Sequence, residues 1–184
     1  MSLQFLEASL LGDSKRASEC LGATLPIGWP DVPDLLRMRK AQLERDPGAQ
    51  PWLLRAICDR SSRTMVGHIG FHTRPAPDYL DEYMPGGIEL GFSVFEGSRR
   101  QGYAREAAIG LMNWARDTHG IVKFVLSISP GNAASQNLAR SLGFRRVGSH
   151  PDDVDGEEDV LALDLEQSNA ALEPAPDELR AQVK

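Results

Sequence analysis

The densest chemistry in this sequence lies at Arg99-Arg100-Gln101-Gly102-Tyr103-Ala104-Arg105. The segment follows an apolar run and opens a stretch with helical spacing. The first turn of a helix carries amide N–H groups without intrahelical acceptors, together with the positive end of the helix dipole. Carboxylates therefore suit it. Three arginines at that end are mildly unfavourable on their own. A bound polyanion reverses the sign, because amide and guanidinium donors then act on the same charge. Gly102 allows close backbone approach, and Ala104 keeps the helix face small. A solvated loop with a chance run of arginines is the alternative. The segment is not a P-loop, since G-x-x-x-x-G-K-[ST] is absent. It is not a dinucleotide fingerprint either, since G-x-G-x-x-G is absent.

The elements that must position this loop are legible from periodicity. Before it, residues 88–95 alternate. Ile88, Leu90, Phe92 and Val94 share one face, and Glu89, Gly91, Ser93 and Phe95 the other. After it, Ala104, Ala107, Ala108, Leu111 and Ala115 follow helical spacing through residue 119, and Gly120 supplies the stop. Val122–Ile128 reads as a buried strand. A helix joins 88–95 to 122–128, so the crossover rule makes them parallel neighbours. Asn132 opens a further helix that ends at Gly143. Phe144–Ser149 and Val160–Leu165 are two strands, with Asp155-Gly156 as a turn between them.

Towards the N-terminus, Leu3–Leu11 is expected as a first strand. Asp13 caps a short helix through Leu21, stopped by Gly22. Residues 25–33 are a loop rich in Pro and Gly. A second helix runs from about Asp34 to Glu44. Trp52–Cys58 and Thr64–Phe71 form a hairpin around DRSSR, followed by a loop over 74–87. The result is mixed α/β of the α+β type, with a mostly antiparallel sheet. No internal repeat is visible. Residues 1–166 are expected to form one domain. Residues 167–184 are expected to be a polar, loosely held tail, with a short helix from Asp177.

Composition narrows the function classes. The 184 residues are 41% hydrophobic and 25% charged, ordinary for a globular chain able to bury its own core. No apolar run approaches the roughly 18 residues of a membrane span, and the N-terminus lacks a secretory pattern. The net charge of −6 is uneven: residues 1–150 carry +3 and residues 151–184 carry −9. Bulk charge therefore gives no support to nucleic-acid binding. Two cysteines, Cys20 and Cys58, form no CxxC pair, which makes a reducing cytoplasm the default.

ELGFSVFEGSRRQGYAREA resembles the acetyl-CoA-binding segment of the GNAT superfamily of N-acetyltransferases. Its hallmark [RQ]-x-x-G-x-[GA] is met by Arg99, Gly102 and Ala104. A second match follows in NAASQNLARSLGF, through Asn132, Ser135, Leu138 and Gly143-Phe144. The two motifs span residues 88–144 at the family's usual separation, and the element order fits over 1–165. The NxxS form is most similar to the branch containing ribosomal-protein N-terminal acetyltransferases.

The resemblance implies a GNAT-like domain with a central pair of splayed parallel strands flanked by helices. It implies acetyl-CoA as co-substrate, no metal, and direct attack of a neutral amine on the thioester. The pantetheine arm would pair with backbone at Phe92, Val94 and Phe95. The pyrophosphate would sit on Arg99, Arg100, Gln101, Gly102, Tyr103, Ala104 and Arg105. Asn132 resembles the residue that bonds the cofactor arm, and as a helix N-cap it could do both. Glu89 is the candidate to deprotonate the amine, directly or through water. It could equally be an exposed or salt-bridged strand glutamate. Family members often protonate the departing thiolate with a Tyr that would fall at Ala139. This chain departs from that pattern, and Ser135 is the nearest replacement.

The departure keeps alternatives open: a non-catalytic acyl-CoA-binding module, or transfer of a longer acyl group. The acceptor is an amine of unassigned identity, a protein N-terminus or a small molecule. The acidic segment with Asp152, Asp153 and Asp155 could attract a cationic one. The oligomeric state, a homodimer included, is left open. His68 and His72 would stand roughly 13 Å apart along a strand, too far to share a metal, and His72 is expected near the acceptor. The DDVDGEED run lacks the flanking acids of a calcium loop. Trp29, Trp52 and Trp114 read as packing residues.

Overall fold

The structure, a computed structural model, describes residues 1–152, 156–167 and 180–184. These form two compact units. One contains Met1–Gly70, Phe92–Ala107 and the C-terminal residues 180–184; the other contains Phe71–Gly91 and the described residues from Ala108 to 167.

In the first unit, α1 (Leu3–Leu10), α2 (Ser14–Leu21) and α3 (Pro33–Arg45) precede the sheet. The strand expected at Leu3–Leu11 is therefore a helix. Ser2 caps it, its side chain accepting the Phe5 amide, and Phe5, Leu6, Ala8 and Ser9 are buried. That spacing places them on one helical face, whereas a strand would bury alternate residues. Burying Phe5 and Leu6 contributes roughly 1.5–3 kcal/mol each, and only the helix buries both. The second helix follows the sequence reading. Asp13 accepts the Arg16 amide at 3.0 Å, and Gly22 closes it at φ +65°. In α3, Pro33 occupies the first turn, where its missing N–H costs nothing.

Strands β1 (Arg55–Asp59) and β2 (Met65–Phe71) form the expected antiparallel hairpin. The C-terminal end differs from the sequence reading. Ala181–Val183 form a strand paired antiparallel with β1 at Ile57↔Val183 and Asp59↔Ala181. Backbone pairing, which a polarity count does not register, holds this end of the tail. Of the helix expected from Asp177, residues 177–179 lie outside the described residues, and residues 181–183 are this strand instead.

The second unit carries most of the remaining sheet, including β3 as far as Gly91. Strand β3 (Ile88–Val94) pairs parallel with β4 (Lys123–Ile128) at Ile88↔Phe124 and Glu89↔Val125. The expected parallel pair is thus present, and its register covers two residue pairs of a seven-residue strand. Strand β4 continues antiparallel with β6 (Gly156–Asp164) to Ile128↔Asp159, and β6 pairs with β5 (Arg145–Asp152). With β7 (Ala181–Val183), the sheet order is β5-β6-β4-β3-β2-β1-β7. Helix α4 (Tyr103–His119) connects β3 to β4, and α5 (Ala133–Ser141) follows β4. The fold is α/β with a mixed, mostly antiparallel sheet. Leu80, Val125, Val160 and Ala162 form one buried apolar cluster of this unit.

Candidate functional site

The arginine loop belongs to the first unit. A short 3-10 turn, Glu96–Ser98, leads from β3 into it. Arg100 has φ +59° and Gly102 φ +91°. The left-handed region costs a residue with a Cβ roughly 1–2 kcal/mol, so the turn's shape is held at some expense at Arg100. The first intrahelical hydrogen bond of α4 runs from the Glu106 amide to the Gly102 carbonyl at 3.0 Å. The Tyr103 and Ala104 amides lie ahead of that ladder.

The loop's side chains are exposed except at Tyr103, which is buried, and Ala104, which is half-buried. Arg99 Nε donates to the Val94 carbonyl at 3.0 Å, and Gln101 Nε2 to the Gly97 carbonyl at 3.3 Å. Glu106 also stands in the first turn, but its Oε2 accepts the Ala181 amide at 2.8 Å. Tyr103 OH donates to Asp59 Oδ2 at 2.7 Å, so its side chain is engaged and only its backbone faces the turn's other tasks. Ser61, Ser62 and Tyr103 together hold the Asp59 carboxyl well below the usual carboxylate range. A hollow of about 590 Å³ beside the loop is lined by Arg60, Ser62, Thr64, Ser98, Tyr103 and Arg180. The Asp59 carboxylate also lines this hollow, and Arg99, Arg100 and Arg105 do not; what suits the turn itself to an anion is its exposed arginines beside the first amides of α4.

Phe92, Val94 and Phe95 are half-buried. The Phe95 amide donates to the Val66 carbonyl at 2.9 Å, and its ring packs 6.0 Å from Trp29. His68, 6.4 Å from Phe95, is a buried histidine whose pKa burial pushes down. That fits a packing residue of the first unit.

The second unit carries a cluster centred on Glu89, which is 5% exposed. Its Oε1 accepts the Ser127 hydroxyl at 2.6 Å. Its Oε2 accepts the Tyr79 hydroxyl at 2.8 Å and lies 3.2 Å from His72 Nδ1. His150 Nε2 stands 3.2 Å from the same Ser127 oxygen. Burial pushes the Glu89 carboxyl upward, but the His72, Ser127 and Tyr79 interactions prevail and hold it at about 2. Glu89 is thus neither exposed nor a simple ion pair. It is a buried carboxylate met by three groups, Ser127, Tyr79 and His72, with His150 behind Ser127.

Asn132 caps α5, accepting the Ser135 amide at 3.1 Å. Ser135 is half-buried. Ala139, where the resemblance would place a Tyr, is fully buried with no hydroxyl to offer. The neighbouring Gln136 is buried and donates to the Ile128 carbonyl and to Asp159. Among the described residues no group of three or more His, Cys, Asp or Glu could hold a metal ion, and no helix is long and apolar enough to cross a membrane. Of the acidic trio, Asp152 ends β5, while Asp153 and Asp155 lie outside the described residues.

The sequence reading identified Glu89 but not the partners that Tyr79, Ser127 and His150 supply. They come from a 3-10 turn and two strands, with no shared local pattern. The one available signal was polarity: Ser127 interrupts the apolar run from Phe124 to Ile128.

Comparisons with known proteins fit this geometry. A family model described as an acetyltransferase (GNAT) domain matches residues 14–145. A relative in Bacillus subtilis (strain 168), described as "Uncharacterized N-acetyltransferase YjdG", is 33% identical over 146 residues, covering 78% of this chain and 82% of its own. Among solved structures, a putative GNAT-family acetyltransferase from Bordetella pertussis superposes with a TM-score of 0.62 at 21% identity. That match covers 88% of this chain and 91% of the other. The ribosomal-protein-S5-alanine acetyltransferase of Vibrio fischeri gives 0.62 at 11% identity, covering 95% and 93%. These structural likenesses speak to the fold.

Proposed function

The chain belongs to the GNAT acetyltransferase family and is an acetyltransferase; from that premise we propose that it transfers acetyl from acetyl-CoA to a primary amine. The observation that carries this reading is the shared strand β3. It holds the buried Glu89 cluster, then Phe92–Phe95, and runs directly into the arginine turn. One stretch of chain thus offers a proton-handling group, backbone for an extended arm and donors for a diphosphate.

Acetyl-CoA supplies an activated thioester carbonyl. The diphosphate would be held by the Arg99, Arg100 and Arg105 guanidinium groups and the amides of Tyr103 and Ala104. The left-handed turn at Arg100 and Gly102 supports this, since such turns gather N–H groups into anion-binding concavities. Backbone from Phe92 to Phe95 would take the pantetheine arm as an added strand. Asn132 would bond the arm through its amide NH2 while its oxygen keeps the cap. The amine must shed a proton before it can attack, and Glu89 with its partners is the machinery for that. The Ser135 hydroxyl would offer a proton to the departing thiolate in place of the absent Tyr.

The test is incubation with acetyl-CoA and a panel of primary amines, reading released CoA and the acetylated product. Amine-dependent release with an acetylated amine supports the reading. Tight acetyl-CoA binding with no release across the panel would favour a binding module instead.

A further inference from the structure

We infer that the hollow lined by Arg60, Arg180 and the hydroxyls of Ser61, Ser62, Thr64 and Ser98 binds a small sugar phosphate, at a site separate from the turn proposed for acetyl-CoA. All of these residues belong to the first unit. The volume, about 590 Å³, is that of a small-molecule site and exceeds what a phosphate alone would fill.

The charge of the lining comes from two arginines brought together by the fold. The Arg60 amide donates to the Arg180 carbonyl at 2.8 Å, and Arg60 Nε donates to the Ala181 carbonyl at 3.0 Å. The guanidinium groups of two segments distant in sequence thus line one hollow. Asp59 is the carboxylate of the lining, and it is already engaged. Its Oδ1 accepts the Ser61 hydroxyl, the Ser62 amide and the Ser62 hydroxyl at 2.7–2.8 Å, and its Oδ2 accepts Tyr103 OH at 2.7 Å. Two guanidinium groups against one carboxylate leave the lining positive. Arginine pairs with phosphate through two parallel N–H donors, so a phosphate is the anion these groups suit.

The hydroxyls identify the rest of the ligand. Ser61 and Ser62 each carry one hydroxyl hydrogen, and both hydrogens go to Asp59. Their oxygens keep the capacity to accept. Thr64 and Ser98 add hydroxyls that donate or accept. A ligand that complements this lining carries hydroxyl groups of its own beside its phosphate, as a sugar phosphate does. The turn is held in shape for that purpose: the Arg63 amide donates to the Asp59 carbonyl and the Asp59 amide to the Thr64 carbonyl, each at 2.9 Å, with Arg63 at φ +55°.

The phosphorylated ribose of acetyl-CoA shares this chemistry, but sheet order sets the hollow apart from the proposed arm. Strand β3 lies between β4 and β2. At the end of β3 the β2 edge is closed. The Phe95 amide donates to the Val66 carbonyl at 2.9 Å, and a Cβ at Gly67 would meet the Ser93 carbonyl oxygen at 2.3 Å. An arm added along Phe92–Phe95 has the β4 edge to pair with, whereas the hollow is built around the β1–β2 turn.

The test is a titration of the 15N-labelled full chain with ribose 5-phosphate, followed by amide NMR, with ribose and inorganic phosphate as comparators. The Ser61, Ser62, Thr64 and Ser98 amides should shift saturably, and ribose 5-phosphate should bind more tightly than either comparator. Arg180→Gln keeps the backbone carbonyl that Arg60 uses, and should weaken binding about tenfold or more, the scale of one charge-assisted contact. Arg16→Gln, an exposed arginine of α2, should leave it unchanged. Saturating acetyl-CoA should leave ribose 5-phosphate bound. No saturable shift at those amides would overturn the inference, as would wild-type affinity in Arg180→Gln or an equal loss in Arg16→Gln. Displacement by acetyl-CoA, together with weaker acetyl-CoA binding in Arg180→Gln, would also overturn it, because the hollow would then belong to the carrier. A chain that binds ribose 5-phosphate but not acetyl-CoA counts against the acetyl-transfer reading alone.

Discussion

His72 and Glu89 are joined twice: the ring Nδ1 stands 3.2 Å from the carboxylate, and the His72 amide donates to the Glu89 carbonyl at 2.9 Å. The backbone bond fixes the register that brings the two side chains to the same face. A one-residue slip would turn Glu89 to the opposite face. The geometry of this pair is therefore set by the backbone register between residue 72 and β3.

The Glu89 carboxyl contributes stability with a defined pH window. Its folded pKa, about 2, lies below its ordinary 4.5. A depressed carboxyl stabilises the fold above the unfolded value and loses that contribution as pH falls through the folded one. The shift corresponds to about 3 kcal/mol. Chemical denaturation between pH 6 and pH 2, roughly the span around these values, should show a falling free energy in wild type. Glu89→Gln should show a shallower fall, and equal slopes would contradict the pairing.

Tyr103→Phe removes the hydroxyl that donates to Asp59 at 2.7 Å without touching the turn's backbone. A hydrogen bond to a charged group is worth about 1.5–3 kcal/mol. The variant should melt several degrees lower while acetyl-CoA affinity stays near wild type. A large loss of affinity with an unchanged Tm would place the Tyr103 side chain in the binding site instead.

Much of the fold was legible because its signals are local. Asp13 and Gly22 bracket α2, alternation marks β3, and the small residues from Ala104 to Ala115 mark α4. Leu3–Leu10 misled because a short apolar run fits either period. The decisive signs were the Ser2 cap and the Phe5/Leu6/Ser9 burial, which read as helix only once a packing partner is known. β7 was invisible because AQV has no pattern of its own and is defined by its pairing with β1. The site divided in the same way. The arginine turn could be read from adjacent residues. The Glu89 cluster could not, because His72, Tyr79, Ser127 and His150 meet only through sheet register.

Asn132 separates a cap from a ligand contact. Asn132→Asp retains an oxygen for the Ser135 amide but loses the NH2 group, whereas Asn132→Ala loses both. The alanine variant should cost about 1 kcal/mol of stability, read as Tm, and the aspartate variant much less. Both should raise KM for acetyl-CoA. A KM unchanged in Asn132→Asp would leave Asn132 a cap alone.

The account depends on the turn at residues 99–105 holding a diphosphate. Calorimetric titration of acetyl-CoA into wild type and into Arg99→Glu/Gly102→Glu tests it most directly, with circular dichroism to confirm the fold. The changes oppose the phosphate charge and place a side chain at φ +91°. Kd should rise by about tenfold or more, the equivalent of one lost charge-assisted contact. Wild-type affinity in that folded variant would contradict the account.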